Sequence, residues 1–134
     1  MISYNSNATP GGSDLTVAHC VNVLCTAVTQ ASVQTGVFTG WFGSIALGAD
    51  GLGVIAFTDE TNQNLEVARC ADAACSSLTH TVVDEFDNQG FGADSVAIGA
   101  DGLPLIAYMD TTSNILKVAH CADVACADPL GTPF

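Results

Sequence analysis

Residues 95–126, SVAIGADGLPLIAYMDTTSNILKVAHCADVAC, recur about 51 positions earlier, at residues 44–75, as SIALGADGLGVIAFTDETNQNLEVARCADAAC, with most positions unchanged. Residues 2–25, ISYNSNATPGGSDLTVAHCVNVLC, repeat only the second half of that unit, and the loop after Tyr4 is about three residues longer. The chain is a tandem array, so the unit decides the fold. In the clearest copy Ser95 to Gly99 alternates small and large side chains, as a strand packed on both faces does. Ala100-Asp101-Gly102 reads as a tight turn, with Gly102 free to take a positive φ. Pro104 opens the next strand, where its missing N–H is tolerated. Leu105 to Met109 continues it, Asp110 to Asn114 turns, and Ile115 to Cys121 forms the third strand. A fourth follows the cysteine loop, as Leu78 to Asp84 does in the middle copy.

Four antiparallel strands recurring at this period are the pattern of a β-propeller blade. A sheet with one wet face would carry polar residues at every second position, whereas Leu116 and Val118 share their strand with Ala119 and Cys121. Both faces of each sheet are therefore expected to be covered. Radial stacking does that; a β-sandwich of irregular strands is the alternative, but it leaves the period unexplained. The expected fold class is all-β, a partial β-propeller of about 2.7 four-stranded antiparallel blades completed by oligomerisation. Residues 1–134 form a single repeat array: an incomplete first blade at 2–43, a complete blade at 44–94, and a last blade at 95–134 with a shortened fourth strand.

Composition narrows the partners. Of 134 residues, 49% are apolar and only 12% charged, so burial must be extensive. No apolar run approaches the ~18 residues of a membrane helix, and no membrane insertion is expected. Fourteen carboxylates face two basic side chains, Arg69 and Lys117, for a net charge of −12. Phosphate backbones need a basic surface, which excludes nucleic acid; anionic membranes and polyanions are disfavoured for the same reason. Met1 runs directly into ISY with no leader pattern, so either a leader has been removed or the chain is an excised piece.

Six cysteines fall into three pairs of one spacing: Cys20 with Cys25, Cys70 with Cys75, and Cys121 with Cys126. They read as disulfides formed in an oxidising compartment, which points to an extracellular or cell-surface protein. Rings this short contribute roughly 2 kcal/mol each in a chain-entropy account. Two alternatives stay open. Zinc would use His19 and His120, each directly before a cysteine, although the middle copy carries Arg69 there; reduced, buried thiols of a cytosolic protein are the other.

The pattern S-x-A-x-G-A-D-G-L-P-x-I-A-Y-x-D, followed by L-x-V-A-H-C and a second cysteine, resembles tandem repeats of large secreted bacterial proteins that look like β-propellers. The likeness covers nearly the whole chain. It implies the fold and the extracellular setting, and no chemistry. Propeller lectins are a more distant likeness, resting on Phe57-Thr58-Asp59 and Tyr108-Met109-Asp110. That likeness implies glycan sites between blades near Trp41, Asp59 and Asp110, although a single tryptophan and two tyrosines leave few stacking platforms. Sialidase-type propellers need several converging arginines, which Arg69 alone does not supply.

No serine, cysteine or carboxylate stands in a nucleophile-and-base arrangement, and no Gly-rich phosphate loop follows a strand. The chain is read as non-enzymatic, with no catalytic residue and no cofactor. His19 and His120 hold one repeat position and read as ligands or pH-sensitive contacts, or more plainly as side chains packed between blades. His80 falls at the outer edge of a fourth strand, with no role assigned. Asp84, Glu85, Asp87 and Asp94 share one connection that calcium could use, but the spacing fits no established calcium loop, a solvated acidic connection is plainer, and no metal is assigned. Asp50-Gly51 and Asp101-Gly102 read as hairpin turns whose aspartates need no function. Asn7-Ala8-Thr9 fits the N-glycosylation pattern, which makes Asn7 a candidate acceptor in the expanded loop.

The ends carry the functional expectation. The first copy lacks the innermost strand, so a lone chain would leave two apolar blade faces and one strand edge open to water. The expected partner is the chain itself, through the strand Ile2, Ser3, Tyr4 and Asn5 and the tail Pro129, Leu130, Pro133 and Phe134. The assembly is a closed ring or an open filament. The tail is the candidate strand donated to the incomplete first blade of a neighbour. The leading reading is a non-enzymatic extracellular structural or interaction protein that self-assembles; the alternative is a lectin-like module binding glycans. A third is a fragment of a longer multi-blade chain.

Overall fold

The computed structural model describes residues 1–6, 14–35, 39–85, 94–127 and 129–132, with the backbone alone at 39–42 and 129–132. The fold is all-β. Its strands are β1 (Ile2–Ser6), β2 (Asp14–Cys20), β3 (Val28–Gln34), β4 (Thr39–Leu47), β5 (Gly53–Asp59), β6 (Asn64–Cys70), β7 (Leu78–Glu85), β8 (Ser95–Ile98), β9 (Pro104–Asp110), β10 (Ile115–Cys121) and β11 (Pro129–Thr132). They form three antiparallel sheets in chain order: a first sheet β1-β2-β3, a middle sheet β4-β5-β6-β7 and a last sheet β8-β9-β10-β11. The repeat unit and the sheet nearly coincide, except that β4 begins at Thr39 rather than Ser44. That extension pairs with β5 through register shifts between Thr39, Trp41 and Ser44.

Three recurring turns make these hairpins. Between the first two strands of the middle sheet, the Gly48 N–H donates to the Leu52 carbonyl at 2.9 Å and Gly51 takes φ 76°. In the last sheet Gly99 and Leu103 pair at 2.8 Å, with Gly102 at φ 82°. A side chain would be strained at either glycine. Between the second and third strands the left-handed residue is Gln63 or Asn114, at φ 56° and 54°.

The cysteine loops join the third strand to the fourth. Cys20–Cys25, Cys70–Cys75 and Cys121–Cys126 are all disulfide-bonded, with Cα atoms 4.7 to 4.8 Å apart. Each second cysteine is left-handed, at φ 51 to 54°, and its N–H reaches the carbonyl of Asn22, Asp72 or Asp123. The side chains of those residues also cap the loop: Asp72 Oδ1 accepts the Ala74 and Ser76 N–H groups at 2.9 and 3.0 Å, and Asp123 Oδ1 those of Ala125 and Ala127 at 2.8 and 3.1 Å. An Asx side chain two residues after the first cysteine is thus part of the repeat's turn chemistry.

The last such loop decides the path of the tail. It returns the chain alongside β10, where Cys121 faces Pro129 and Val118 faces Thr132, the place β7 takes beside β6. Within this chain Pro129 and Leu130 belong to the fourth strand of their own sheet. Pro133, Phe134 and Asn7 lie outside the described residues, as does most of the acidic connection, 86–93.

Side-chain alternation along the strands then builds two apolar layers. On β5, Ile55 and Phe57 point toward the first sheet while Val54 and Ala56 point toward the last; on β6, Ala68 and Cys70 oppose Leu65 and Val67. Leu15, Val17 and Val33 complete the first layer, and Val96, Ile106, Tyr108 and Ala119 complete the second. Every residue of β5 and β6 is buried. The middle sheet is covered on both faces, as its lack of polar alternation requires.

Candidate functional site

The carboxylates singled out for ligand binding are committed to the fold. Asp59 Oδ1 accepts the Thr61 and Asn62 N–H groups at 2.8 and 3.1 Å, and Asn62 Nδ2 donates to Oδ2 at 2.9 Å. Asp110 Oδ1 accepts the Thr112 and Ser113 N–H groups at 3.0 and 3.2 Å. Both aspartates are buried. They shape the turn that separates Asp59 from Asn64 and Asp110 from Ile115, a backbone task that leaves little for a sugar hydroxyl. Of Trp41 only the backbone is described, opposite Thr58.

The junction between middle and last sheets holds a polar network. Lys117 Nζ lies 3.1 Å from Asp84 Oδ2 and 2.9 Å from Asp110 Oδ2, and the Tyr108 hydroxyl donates to Asp84 Oδ2 at 2.7 Å. The Lys117 hydrogen bond, with those of Ser113, holds Asp110 down to about 2. Burial, reinforced by Asp84, pushes the Tyr108 hydroxyl well above its ordinary value. Nearby, Thr58 Oγ1 donates to Asp94 Oδ2 at 2.8 Å, and Asp94 Oδ1 has no partner among the described residues. Burial raises that carboxyl to about 7. The network ties two sheets together and uses its titratable groups on one another.

Arg69 and His120 show what happens at one repeat position when its surroundings differ. Arg69 is buried, donates from Nη1 to the Gly53 carbonyl at 3.1 Å and pairs with Asp50. His120 Nε2 lies 2.8 Å from Asp101 Oδ2, and both side chains are nearly half exposed. Asp50 and Asp101 therefore do more than turn the chain. The Leu52 and Leu103 N–H groups, with Arg69 and His120 beside them, hold both carboxyls below their usual range. His80 also gains a place: it meets Phe57 edge-on at 6.1 Å and lies 3.3 Å from Glu66 Oε2. Among the described residues no three His, Cys, Asp or Glu side chains come together to hold a metal.

The largest departure from a closed design is at the two ends of the stack. On the last sheet, Ile106, Tyr108, Ala119 and Cys121 face inward, so alternation turns Leu105, Ala107, Met109, Leu116, Val118 and His120 outward. Leu105 and Met109 are each 39% exposed and Leu116 is 58% exposed. On the first sheet, Leu15 and Val17 face inward. Thr16 and Ala18 then lie on the outer side, themselves buried beneath neighbouring side chains, with their pairing partners Tyr4 and Ile2, which are 36% and 57% exposed. Ser3, from the same strand, points inward and donates to the Gly43 carbonyl at 3.3 Å. A shallow hollow beside Tyr4 is lined by Ser6, Thr16, Gln30 and Ser32.

Comparison of the chain with protein-family models, with curated proteins and with solved structures gives no match.

Proposed function

We propose that this chain is a non-enzymatic, extracellular structural protein whose blade-like sheets assemble with those of further copies into a ring or a filament. One observation carries the reading: residues buried in the middle of the stack have exposed repeat counterparts at its ends. Leu65 is fully buried and Leu116 is not; Ile55 and Phe57 are fully buried, and Ile2 and Tyr4 are not. Apolar faces of this kind are costly in water and are usually covered by another protein surface. The propeller reading of the array adds that each sheet expects a neighbour on both sides. Three disulfides support the oxidising, extracellular setting.

A charge of −12 opposes the association of like copies at long range. The contact faces carry few charges, so salt should screen that repulsion and strengthen assembly. Native mass measured by light scattering across a dilution series, at low and at moderate salt under non-reducing conditions, tests the reading. The expected result is a particle of several chains that grows with salt; a 13.6 kDa monomer at every concentration would refute it. A second reading, glycan binding, draws on the hollow beside Tyr4. It competes for a face that assembly would cover, so a glycan that binds there should dissolve the particle.

A further inference from the structure

We infer that copies join head to tail, the outward face of one copy's first sheet seating on the outward face of another copy's last sheet. This rests on the self-assembly reading and names the two surfaces that meet. Its ground is the strand register. Ile2 lies opposite Ala18 and Tyr4 opposite Thr16. Ile55 lies opposite Ala68 and Phe57 opposite Glu66 in the middle sheet, and Ile106 opposite Ala119 and Tyr108 opposite Lys117 in the last. These are three copies of one face. In the middle and last sheets that face lies on the sheet before it: Ile55, Phe57 and Ala68 pack on Leu15 and Val17, while Ile106, Tyr108 and Ala119 pack on Leu65 and Val67.

The receiving face is likewise repeated. Leu15 and Val17 supply it in the first sheet, and Val54, Ala56, Leu65 and Val67 in the middle one. Its counterpart on the last sheet is Leu105, Ala107, Leu116 and Val118. That counterpart is at least as apolar as the covered version, because Leu105 stands for Val54, Met109 for Thr58 and His120 for Arg69. One chain thus presents a seating face at one end and the matching receiving face at the other. The partner that fits is a second copy, since the complement of each exposed face is the face this chain carries at its opposite end. Such a contact is heterologous, and it extends a packing already used twice within the molecule.

Two variants of the full chain separate the faces. Tyr4→Glu places a carboxylate on the seating face, and Leu116→Glu places one on the receiving face. Both positions are exposed, so both variants should fold, checked by circular dichroism; Ile2→Lys and Leu105→Lys replace either one that does not. An unpaired charge in an apolar contact should weaken association by roughly a hundredfold or more. Each variant alone is expected to be monomeric by light scattering. An equimolar mixture is expected to form a discrete dimer of one chain of each kind, because one intact complementary pair of faces remains. If wild type assembles but either variant alone still does, or the mixture stays monomeric, the head-to-tail contact is wrong and the self-assembly reading survives. A wild-type chain that is monomeric throughout overturns both.

Discussion

Leu65 and Leu116 occupy the same place in two copies of the repeat, yet one is sealed between sheets and the other is more than half exposed. On the opposite face Phe57 is fully buried and Tyr4 is 36% exposed. Local structure does not distinguish Leu65 from Leu116, each on the third strand of a four-stranded sheet, whereas Tyr4 lies on the edge strand β1 and Phe57 on β5, which is paired on both sides. What differs is whether another sheet lies across the face. Burial in a stacked array is a property of position in the stack, and the energetic worth of a residue follows the stack before it follows the repeat.

The comparison is broken or sharpened by paired substitutions. The largest contrast is Phe57→Ala against Tyr4→Ala. Emptying the fully enclosed Phe57 site should cost about 3–5 kcal/mol in urea unfolding, whereas truncating the exposed Tyr4 in a dilute, dissociated sample should cost under about 1 kcal/mol. Equal costs would mean that the first sheet's outward face is covered within the monomer.

Next comes Asp94, a group of the covered junction. Its folded carboxyl ionises near about 7 instead of in the usual carboxylate range. Between those limits the folded chain keeps a proton that the unfolded chain has lost. Stability should then be full below the ordinary carboxylate range and fall as pH rises through about 7, by on the order of 4 kcal/mol. Asp94→Asn should flatten that part of the profile in thermal unfolding followed across pH; an unchanged slope would place the titration elsewhere.

The disulfides give a smaller contrast. Cys70, Cys75, Cys121 and Cys126 are buried in the two apolar layers, while Cys20 and Cys25 lie on the exposed face of the first sheet. Replacing the Cys70 and Cys75 pair by alanine should cost roughly 2 kcal/mol of ring closure plus lost packing, and replacing Cys20 and Cys25 only the former. Under native conditions a mild reductant should open Cys20–Cys25 first, which mass spectrometry after alkylation would read. Simultaneous reduction of all three would show that the stack opens as a whole.

Smallest of all is the pair Arg69→Ala and His120→Ala. The first removes a buried side chain and its bond to the Gly53 carbonyl, for about 1–2 kcal/mol. The second removes an exposed partner of Asp101 and should change monomer stability by less than about 0.5 kcal/mol. A larger effect of His120 that appears only at concentrations where copies associate would place it in the contact between them.

The period, the strand alternation and the turn residues were written in the sequence, because each is a local device. Gly102 with Asp101, the paired cysteines, and Ile115 to Cys121 as a strand all follow from neighbours within one unit, and three antiparallel sheets follow from repeating it. The Asx residues at 22, 72 and 123 are equally local, visible as one side-chain type at one offset in every copy. Other features needed the tertiary structure. Asp59 and Asp110 stand out in the sequence as carboxylates at strand ends, but the turns they cap appear only with the backbone placed around them. The place of the last copy's tail beside β10 likewise appears only with the backbone paired. Most of all, Ile2, Ile55 and Ile106 are the same residue in the same pattern, and nothing within a repeat tells the exposed one from the buried two. The sequence alone settled how each sheet is made; the three-dimensional stack alone decided which faces meet water, since burial depends on what lies across a face and not on what lies along the chain.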